Sequence, residues 1–351
     1  MHSLVRKTYR SRLIETLNST RLIIILFFTC FWAVLTNAAC ISGNCEDGFG
    51  TFRSDRNETY TGEWKNGRAD GNGTYINSKG GSYSGNFSKG SIDGYGSFHY
   101  ANGDFYKGNF KNYAKHGSGR YYYQNGNTYI GQFSNGKRVG IGTLKYSSGA
   151  IYKGAWKEGE KEGWGEFSYA NGNVYKGLFK NGLKNGKGAY YWKNGSKYIG
   201  EFRNNKFDGL ATRTYINGNK YVGKFKNGLK EGYGKYYYHS GDYYRGFFKS
   251  GRKSGEGVYI WKIGGKYIGE FFNNTFHGEA KRYYSNGDKY IGEFKNNQRN
   301  GFGVFTTKDG YSYTGSWKNN QKNGEGFCVL SPTKTVKCEW KEDVLIRRKV
   351  L

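Results

Sequence analysis

The amino-acid sequence predicts an all-β fold, an elongated single-sheet solenoid of about twelve antiparallel β-hairpins of 23 residues each. The chain of 351 residues holds 57 glycines, 34 tyrosines and 24 phenylalanines but one proline. Hydrophobic residues make up only 36% of it, and aromatic residues alone make up 19%. A core of aliphatic side chains therefore cannot be built. The tripeptide Tyr-x-Gly also recurs at a constant interval of 23 residues, which predicts a repetitive architecture.

The same composition excludes two other classes of chain. Disordered segments are poor in aromatic residues, whereas tyrosine and phenylalanine are abundant here. Collagen needs glycine at every third position together with much proline. A turn-rich β protein with many flat side chains remains.

Each repeat is defined by a tyrosine, a glycine two residues later and a second aromatic residue four residues later. The tyrosines are Tyr60, Tyr83, Tyr106, Tyr129, Tyr152, Tyr175, Tyr198, Tyr221, Tyr244, Tyr267, Tyr290 and Tyr313. The second aromatic residues are Trp64, Phe87, Phe110, Phe133, Trp156, Phe179, Phe202, Phe225, Phe248, Phe271, Phe294 and Trp317. Because strand side chains alternate between faces, these groups share one face of the predicted sheet.

Turn signals divide each repeat into two strands. A Gly-x-Gly, such as Gly71 and Gly73, precedes the second strand in most units. Asn-Gly occurs after the first strand, as at Asn66-Gly67, and again after the second strand, as at Asn102-Gly103. Asn-Gly between strands is typical of a type I′ turn, which needs positive φ at both central residues. We therefore expect type I′ turns after the second strands.

This pattern, Y-x-G-x-[WF]-x-N-G-x-x-x-G-x-G, resembles the MORN (membrane occupation and recognition nexus) repeat over about residues 46–341. The resemblance implies successive hairpins in one elongated antiparallel sheet that twists or curls without closing into a barrel, and the family name implies membranes as partners. We expect four regions: a signal peptide or N-terminal anchor (1–39), a cap with a partial repeat (40–59), twelve repeats (60–335), and a degenerate repeat with a C-terminal cap (336–351).

The first 39 residues differ from the rest of the chain. Several basic residues precede an apolar run from Leu22 to Leu35, and small residues follow it. This pattern predicts a secretory signal, because the run is shorter than the about 17–25 residues of a membrane span. The long basic region keeps open an uncleaved membrane anchor involving residues 22–39. The sequence thus predicts export to the cell envelope, periplasm or extracellular space.

Four cysteines remain once the predicted signal is removed. Cys40 follows two alanines, as in a bacterial lipoprotein box, and is a candidate for lipidation, although Asn37 stands where such boxes usually have leucine. Cys40 and Cys45 lie near one end of the exported chain, and Cys328 and Cys338 near the other. In an oxidising compartment they would form two local disulfides. Cys328 and Cys338 fall nearly opposite each other in the last hairpin, and free thiols are the alternative.

The formal net charge of +28 is patterned into two rows. The first row lies one residue after the second aromatic residue of the repeat: Lys65, Lys111, Lys157, Lys180, Arg203, Lys226, Lys249, Lys295 and Lys318. The second row lies four residues further on: Lys115, Arg138, Lys161, Lys184, Lys230, Lys253, Arg299 and Lys322. We expect two parallel basic rows near one turn edge, where they would attract polyanions. The alternative is a solvated edge whose lysines prevent strand pairing between molecules.

These features predict an exported, non-enzymatic scaffold that binds an anionic lipid, lipopolysaccharide or acidic glycan surface. The alternative is a scaffold for protein–protein interaction or self-association through the aromatic sheet face. Nucleic acid is not expected, because exported proteins rarely meet it. No cofactor, metal site or catalytic constellation is expected. His116 and His277 occupy a position before the Gly-x-Gly that other units fill with Asp, Glu or Asn.

Two units, three repeats apart, depart from the pattern together. Ala211 and Ala280 replace the second glycine of the Gly-x-Gly. In the same units, phenylalanine stands where basic residues are usual and arginine where most units have an aromatic residue: Phe207, Phe276, Arg213 and Arg282. A block duplication explains the likeness, and a local change in curvature or a specific contact site is the alternative.

Overall fold

A computed structural model describes residues 38–350, and these residues form 28 β-strands. This described part of the chain contains no helix, and so none with the length and apolar character needed to cross a membrane. The predicted signal or anchor lies outside the described residues, apart from its last two positions.

The described part of the chain divides into two compact units, and the division lies between residues 160 and 161. The strands of the first unit are β1 (Ala39–Gly43), β2 (Gly48–Arg53), β3 (Thr59–Lys65), β4 (Arg68–Ile76), β5 (Ser82–Ser88), β6 (Ser91–His99), β7 (Phe105–Lys111), β8 (Ala114–Tyr122), β9 (Thr128–Ser134), β10 (Lys137–Lys145) and β11 (Ile151–Lys157).

The second unit begins within β12 (Glu160–Ser168). Its further strands are β13 (Val174–Lys180), β14 (Leu183–Tyr191), β15 (Lys197–Arg203), β16 (Lys206–Thr214), β17 (Lys220–Lys226), β18 (Leu229–Tyr237), β19 (Tyr243–Lys249), β20 (Arg252–Ile260), β21 (Lys266–Phe272), β22 (Thr275–Tyr283), β23 (Lys289–Lys295), β24 (Gln298–Thr306), β25 (Ser312–Lys318), β26 (Gln321–Ser331), β27 (Lys334–Lys341) and β28 (Val344–Val350).

Within each unit, every strand pairs antiparallel with its neighbours in sequence, and the register repeats. Between β7 and β8, for example, Tyr106 lies opposite Tyr121 and Gly108 opposite Gly119. A register shift follows, so that Phe110 lies opposite Lys115. The longer second strand therefore bulges at its Gly-x-Gly, in the same place in successive repeats. The predicted fold class, an all-β sheet of 23-residue antiparallel hairpins, is confirmed.

The Tyr-x-Gly motif packs a buried tyrosine ring against two paired glycines. Tyr106 is fully buried, and its hydroxyl donates a hydrogen bond to the carbonyl oxygen of Asn109 at 2.9 Å. Its ring lies against the paired glycines Gly108 and Gly119, where an added Cβ would collide with the phenol. The two glycines are therefore required because they leave room for a ring.

The aromatic residues form a continuous core on this face within each unit. The Tyr106 ring makes edge-to-face contacts with Phe110 of its own repeat (5.0 Å between centroids) and with Phe133 of the next repeat (5.2 Å). Such pairs contribute about 0.5–1.5 kcal/mol each beyond the burial of their area. Each repeat is thus joined to the next by rings, so stability should be a sum over neighbouring repeats.

The two turns of the repeat differ in type. In the first turn, Asn66 and Gly67 both have positive φ, 49° and 64°, as a type I′ turn requires. In the second turn only the glycine does, as at Gly103 with φ 86°. The expectation of a type I′ turn there is wrong. The amide of Gly103 donates to the carbonyl of Tyr100 (2.9 Å), and the Asn102 side chain accepts from the amide of Asp104 (3.0 Å). This local bond supports a type I turn followed by a left-handed glycine.

Polar side chains bind the turns of successive repeats to one another. Asp104 accepts hydrogen bonds from the backbone amide of Gln124 (2.8 Å) and from the Tyr121 hydroxyl (2.7 Å). At the other turn edge, Asp70 accepts from the amide of Lys89 (3.0 Å). The polar position before the Gly-x-Gly thus has a structural role in these repeats.

Both cysteine pairs are joined. Cys40 is bonded to Cys45, and Cys328 to Cys338. Val336 takes the position of the repeat tyrosine in the last hairpin, and Cys338 takes that of the glycine beneath it. The disulfide therefore occupies the place where other repeats bury a ring. Because the Cys40 sulfur is committed to Cys45, the disulfide and a lipid thioether are alternative fates, and lipidation remains a prediction.

Candidate functional site

The first basic row is exposed to solvent along the first-turn edge of each unit. All nine of its side chains are exposed, and each stands at the end of a strand directly before the first turn. Among the ion pairs of residues 38–350, Arg203 is the member of this row that has an acidic partner, Asp208 at 3.5 Å. An exposed pair of this kind contributes little stability. The row therefore presents its charge to the surroundings.

The second basic row lies in a different environment. All eight of its side chains are partly buried, and their charged groups lie over rings of the aromatic face. The Lys253 ammonium lies 5.0 Å from the ring centroid of Tyr259 and 5.3 Å from that of Tyr244. Burial lowers the pKa of Lys253 to about 8. Because the bulge turns this row toward the rings, its cations stabilise the aromatic face by cation–π contact.

The two departing units keep a cation over the rings by exchanging positions. Phe207 replaces the cation of the second row and stacks on Tyr198, with 3.9 Å between centroids and 20° between planes. The guanidinium of Arg213 then lies 4.9 Å from the Trp192 ring centroid and 4.7 Å from that of Tyr215.

The second departing unit repeats this arrangement. Phe276 stacks on Tyr267 at 3.9 Å, and Arg282 lies over Trp261. Every repeat from Tyr106 to Tyr313 thus supplies one cation to this face. Sequence reasoning missed this relation. The sequence pattern that could have revealed it is the joint appearance of Phe and Arg in the same two units.

Burial of the repeat tyrosines predicts an alkaline limit to stability. Burial raises the pKa of Tyr83 and of Tyr129 to about 12, from about 10 in an unfolded chain. A raised folded-state pKa favours folding below pH 10, and that contribution is lost as the pH rises toward 12. The lowered pKa of Lys253 acts in the opposite direction between about pH 8 and 10.5, so the decline should begin only above about pH 10.

Phenolate absorbance and far-ultraviolet circular dichroism, followed together against pH, test this prediction. The buried tyrosines should titrate together with the loss of β-sheet signal. A single gradual titration of all tyrosines near pH 10, with the sheet intact, would contradict it.

The opposite face of the sheet carries exposed apolar side chains. They stand at the centre of the Gly-x-Gly, where strand alternation points them away from the tyrosines. The exposed members are Phe49, Tyr95, Ile141, Trp164, Leu210, Tyr233 and Phe302. Eleven of the twelve repeat tyrosines, in contrast, have no exposed surface or almost none. Apolar contact with a partner is therefore available on this face rather than on the tyrosine ladder.

Metal-ligating side chains are not clustered in the described part of the chain. No group of three or more His, Cys, Asp or Glu side chains among residues 38–350 could hold a metal ion. His116 and His277 stand at the turn position that Asp70 uses to accept a backbone amide, and their buried Nδ1 atoms have no hydrogen-bond partner in this described part.

Comparison with solved structures yields remote similarities. The TCP domain of Drosophila melanogaster SAS-4 (dCPAP), in complex with a proline-rich motif of Ana2, is 15% identical, covering 44% of this chain and 85% of that one, with a TM-score of 0.29. The TCP10 domain of Danio rerio CPAP, in complex with a STIL peptide, is 12% identical, covering 71% and 96%, with a TM-score of 0.28. Scores this low support no conclusion about the present chain. No curated protein matches it.

Comparison with protein families gives a clear result. The MORN repeat matches twelve consecutive copies, at residues 60–82, 83–105, 106–128, 129–151, 152–174, 175–197, 198–220, 221–243, 244–266, 267–289, 290–310 and 313–331. The matches cover well over half of the chain and follow the register of the hairpins. The chain therefore belongs to the MORN repeat family and is a repeat scaffold.

Proposed function

We propose that this chain is an exported scaffold that binds an extended anionic surface through the first basic row. The observation that supports this proposal is that all nine side chains of that row are exposed along the first-turn edge of each unit, at most one per repeat. Equivalent positions in successive repeats lie two strand spacings apart, roughly 9–10 Å. Each cation near an anionic bilayer contributes about 1 kcal/mol. Weak contacts therefore add up when several repeats engage together.

An anionic phospholipid membrane is the form of this surface to test first. Lipopolysaccharide and acidic glycan offer similar charge chemistry and are further candidates. Export is supported by the two disulfides, which are typical of oxidising compartments, and by the predicted signal. It would bring the chain to the envelope or cell surface, where such polyanions occur.

Vesicle sedimentation tests the proposal. The variant Lys180→Gln/Lys226→Gln/Lys249→Gln removes three charges from the first row. Its control, Lys193→Gln/Lys262→Gln/Lys308→Gln, removes three exposed charges from the opposite turn edge. Binding to vesicles of phosphatidylcholine with phosphatidylserine should weaken by about 100-fold in the first variant and much less in the control. Wild-type binding should also fall as salt is raised.

Two results would overturn this proposal. One is an equal loss in both triple variants, because the effect would then depend on net charge alone. The other is undiminished binding of the wild type to pure phosphatidylcholine, because charge would then have no part in it.

Protein docking or self-association is a second candidate, favoured by the exposed apolar residues of the opposite face. Leu210 is 67% exposed and Phe302 59%. Unlike membrane binding through lysines, association through these groups should persist at high salt. Sedimentation velocity of Leu210→Thr/Phe302→Thr beside the wild type tests it. A wild type that stays monomeric at high concentration would exclude self-association.

A further inference from the structure

A shallow concavity of about 600 Å³ lies on the first unit, on the face opposite the tyrosine ladder. Strands β6 to β9 form it, and its chemistry comes from Tyr95, Lys107, Asn109, Arg120, Tyr122 and Gln132. Its volume falls within the about 300–1,000 Å³ typical of small-ligand sites. No member of either basic row lines it, so it is distinct from the surface proposed above.

Two tyrosine rings in this concavity are open to solvent. Tyr95 is 53% exposed and Tyr122 is 37% exposed. The Arg120 guanidinium is held beside the second ring, because its Nη1 donates to the Tyr122 hydroxyl at 3.1 Å. An exposed ring with a polar hydroxyl offers an apolar surface and a hydrogen-bonding edge together. The C–H face of a sugar ring fits such a surface.

Two amide side chains lie in the same cross-strand row as Tyr95, with Asn109 directly opposite it and Gln132 opposite Ser118. The Asn109 amide nitrogen donates to the carbonyl oxygen of Ser118 at 3.3 Å. The Gln132 amide nitrogen donates to the Ser118 hydroxyl at 2.9 Å. Among residues 38–350, no hydrogen-bond donor reaches the amide oxygens of these two side chains. Both oxygens are thus free to accept hydrogen bonds from hydroxyl groups of a ligand.

The electrostatics of this region favour an anion. The acidic residues between positions 72 and 155 are Asp93 and Asp104, and both are used at turns, where they accept backbone amides. Within residues 38–350, Lys107 and Arg120 take part in no ion pair. Their positive charge is therefore not neutralised on this face.

The second unit provides a contrast in the same register. The position held by Asn109 and Gln132 in the first unit is held by glutamate in three repeats of the second: Glu201, Glu270 and Glu293. A neutral and basic lining is thus a local property of the concavity and does not follow from the repeat itself.

We infer that this concavity binds a short acidic oligosaccharide. Arg120 and Lys107 take a sugar carboxylate, since guanidinium and carboxylate match in geometry as well as charge. The rings of Tyr95 and Tyr122 stack on the flanking sugars, while Asn109 and Gln132 accept from their hydroxyls. A ligand of a few sugar rings fits the volume, whereas the first basic row requires an extended surface.

Calorimetric titration of the full exported chain with hexagalacturonate at physiological salt tests this inference. Arg120→Gln/Tyr122→Ala should weaken binding by at least about tenfold. The control, Lys235→Gln/Tyr237→Ala, makes comparable changes at the same two register positions five repeats later and should bind like the wild type. Asn109→Glu should also abolish binding by charge repulsion. The repeat accommodates that residue, because Glu201 and Glu270 occupy the same position.

Three results would overturn the inference. The first is an equal loss in both double variants, because bulk charge would then account for binding. The second is equally tight binding of the neutral cellohexaose. The third is a wild type that binds phosphatidylserine vesicles but not hexagalacturonate, with vesicle binding lost in Arg120→Gln/Tyr122→Ala, because the concavity would then be part of a membrane-binding surface. The lysine triple variant of the first row should retain hexagalacturonate binding, which separates this site from the proposed function.

Discussion

Replacement of Tyr175 by alanine is expected to lower the free energy of unfolding by about 3–5 kcal/mol, as for other large buried aromatic side chains. The Tyr175 side chain is fully buried. Its ring makes edge-to-face contacts with Phe179 of its own repeat at 5.1 Å and with Phe202 of the next repeat at 4.9 Å. The substitution therefore removes the aromatic contacts that connect two repeats. The paired glycines beneath the ring have no side chains that could fill the cavity it leaves.

Urea unfolding followed by circular dichroism measures this effect. Tyr175→Phe is the matched control, because it keeps the ring and removes only the hydrogen bond from the hydroxyl to the carbonyl of Leu178 (2.8 Å). That loss should cost about 1 kcal/mol. Because coupling in repeat proteins runs between neighbours, the alanine variant should also show a broadened or two-step transition. Similar decreases in the free energy of unfolding of the two variants would show that the ring contacts between repeats contribute little.

Replacement of Gly119 by alanine is the second large effect, with an expected loss of about 1–3 kcal/mol from overpacking. A Cβ at this position collides with the phenol of Tyr106. The backbone there is extended rather than left-handed, so the cost comes from the ring and not from strain in φ. Thermal or urea unfolding of Gly119→Ala measures it.

Natural repeats provide the rescue for this variant. In the unit of Tyr198, alanine at this position occurs together with a phenylalanine stacked on the tyrosine and an arginine over neighbouring rings. The triple variant Lys115→Phe/Gly119→Ala/Tyr121→Arg transfers the whole set to the unit of Tyr106. We expect it to recover most of the stability that Gly119→Ala loses. A triple variant less stable than the single one would show that the three residues do not act as a set.

The 23-residue hairpin was predictable because its determinants are local. The tyrosine, the glycine beneath it and the second aromatic residue lie within five positions of one another, and strand alternation alone puts them on one face. The type of the second turn was not predictable, because Asn-Gly occurs in both turns and the side-chain bond of Asn102 distinguishes them.

The environment of the charges was less accessible to sequence reasoning. Both basic rows have constant offsets in the sequence, so the sequence alone makes them look equivalent. The register shift between Gly108 and Phe110 turns Lys115 toward the rings, while Lys111 stays at the exposed strand end. The concavity at Arg120 was missed for a related reason. Its polar and aromatic residues come from four strands, and none of those side chains belongs to the repeat pattern.

The backbone hydrogen bonds between successive first turns have a direction along the chain. The carbonyl of Ala69 accepts from the amide of Gly90, and that of Ile92 from the amide of Tyr113, so the acceptor lies about one repeat before its donor. Contacts this near in sequence favour rapid folding. During synthesis, each completed hairpin already displays the oxygen atoms that the next turn requires. The molecule is therefore suited to fold from its amino end, one hairpin at a time, with the newest hairpin always docking on a finished edge.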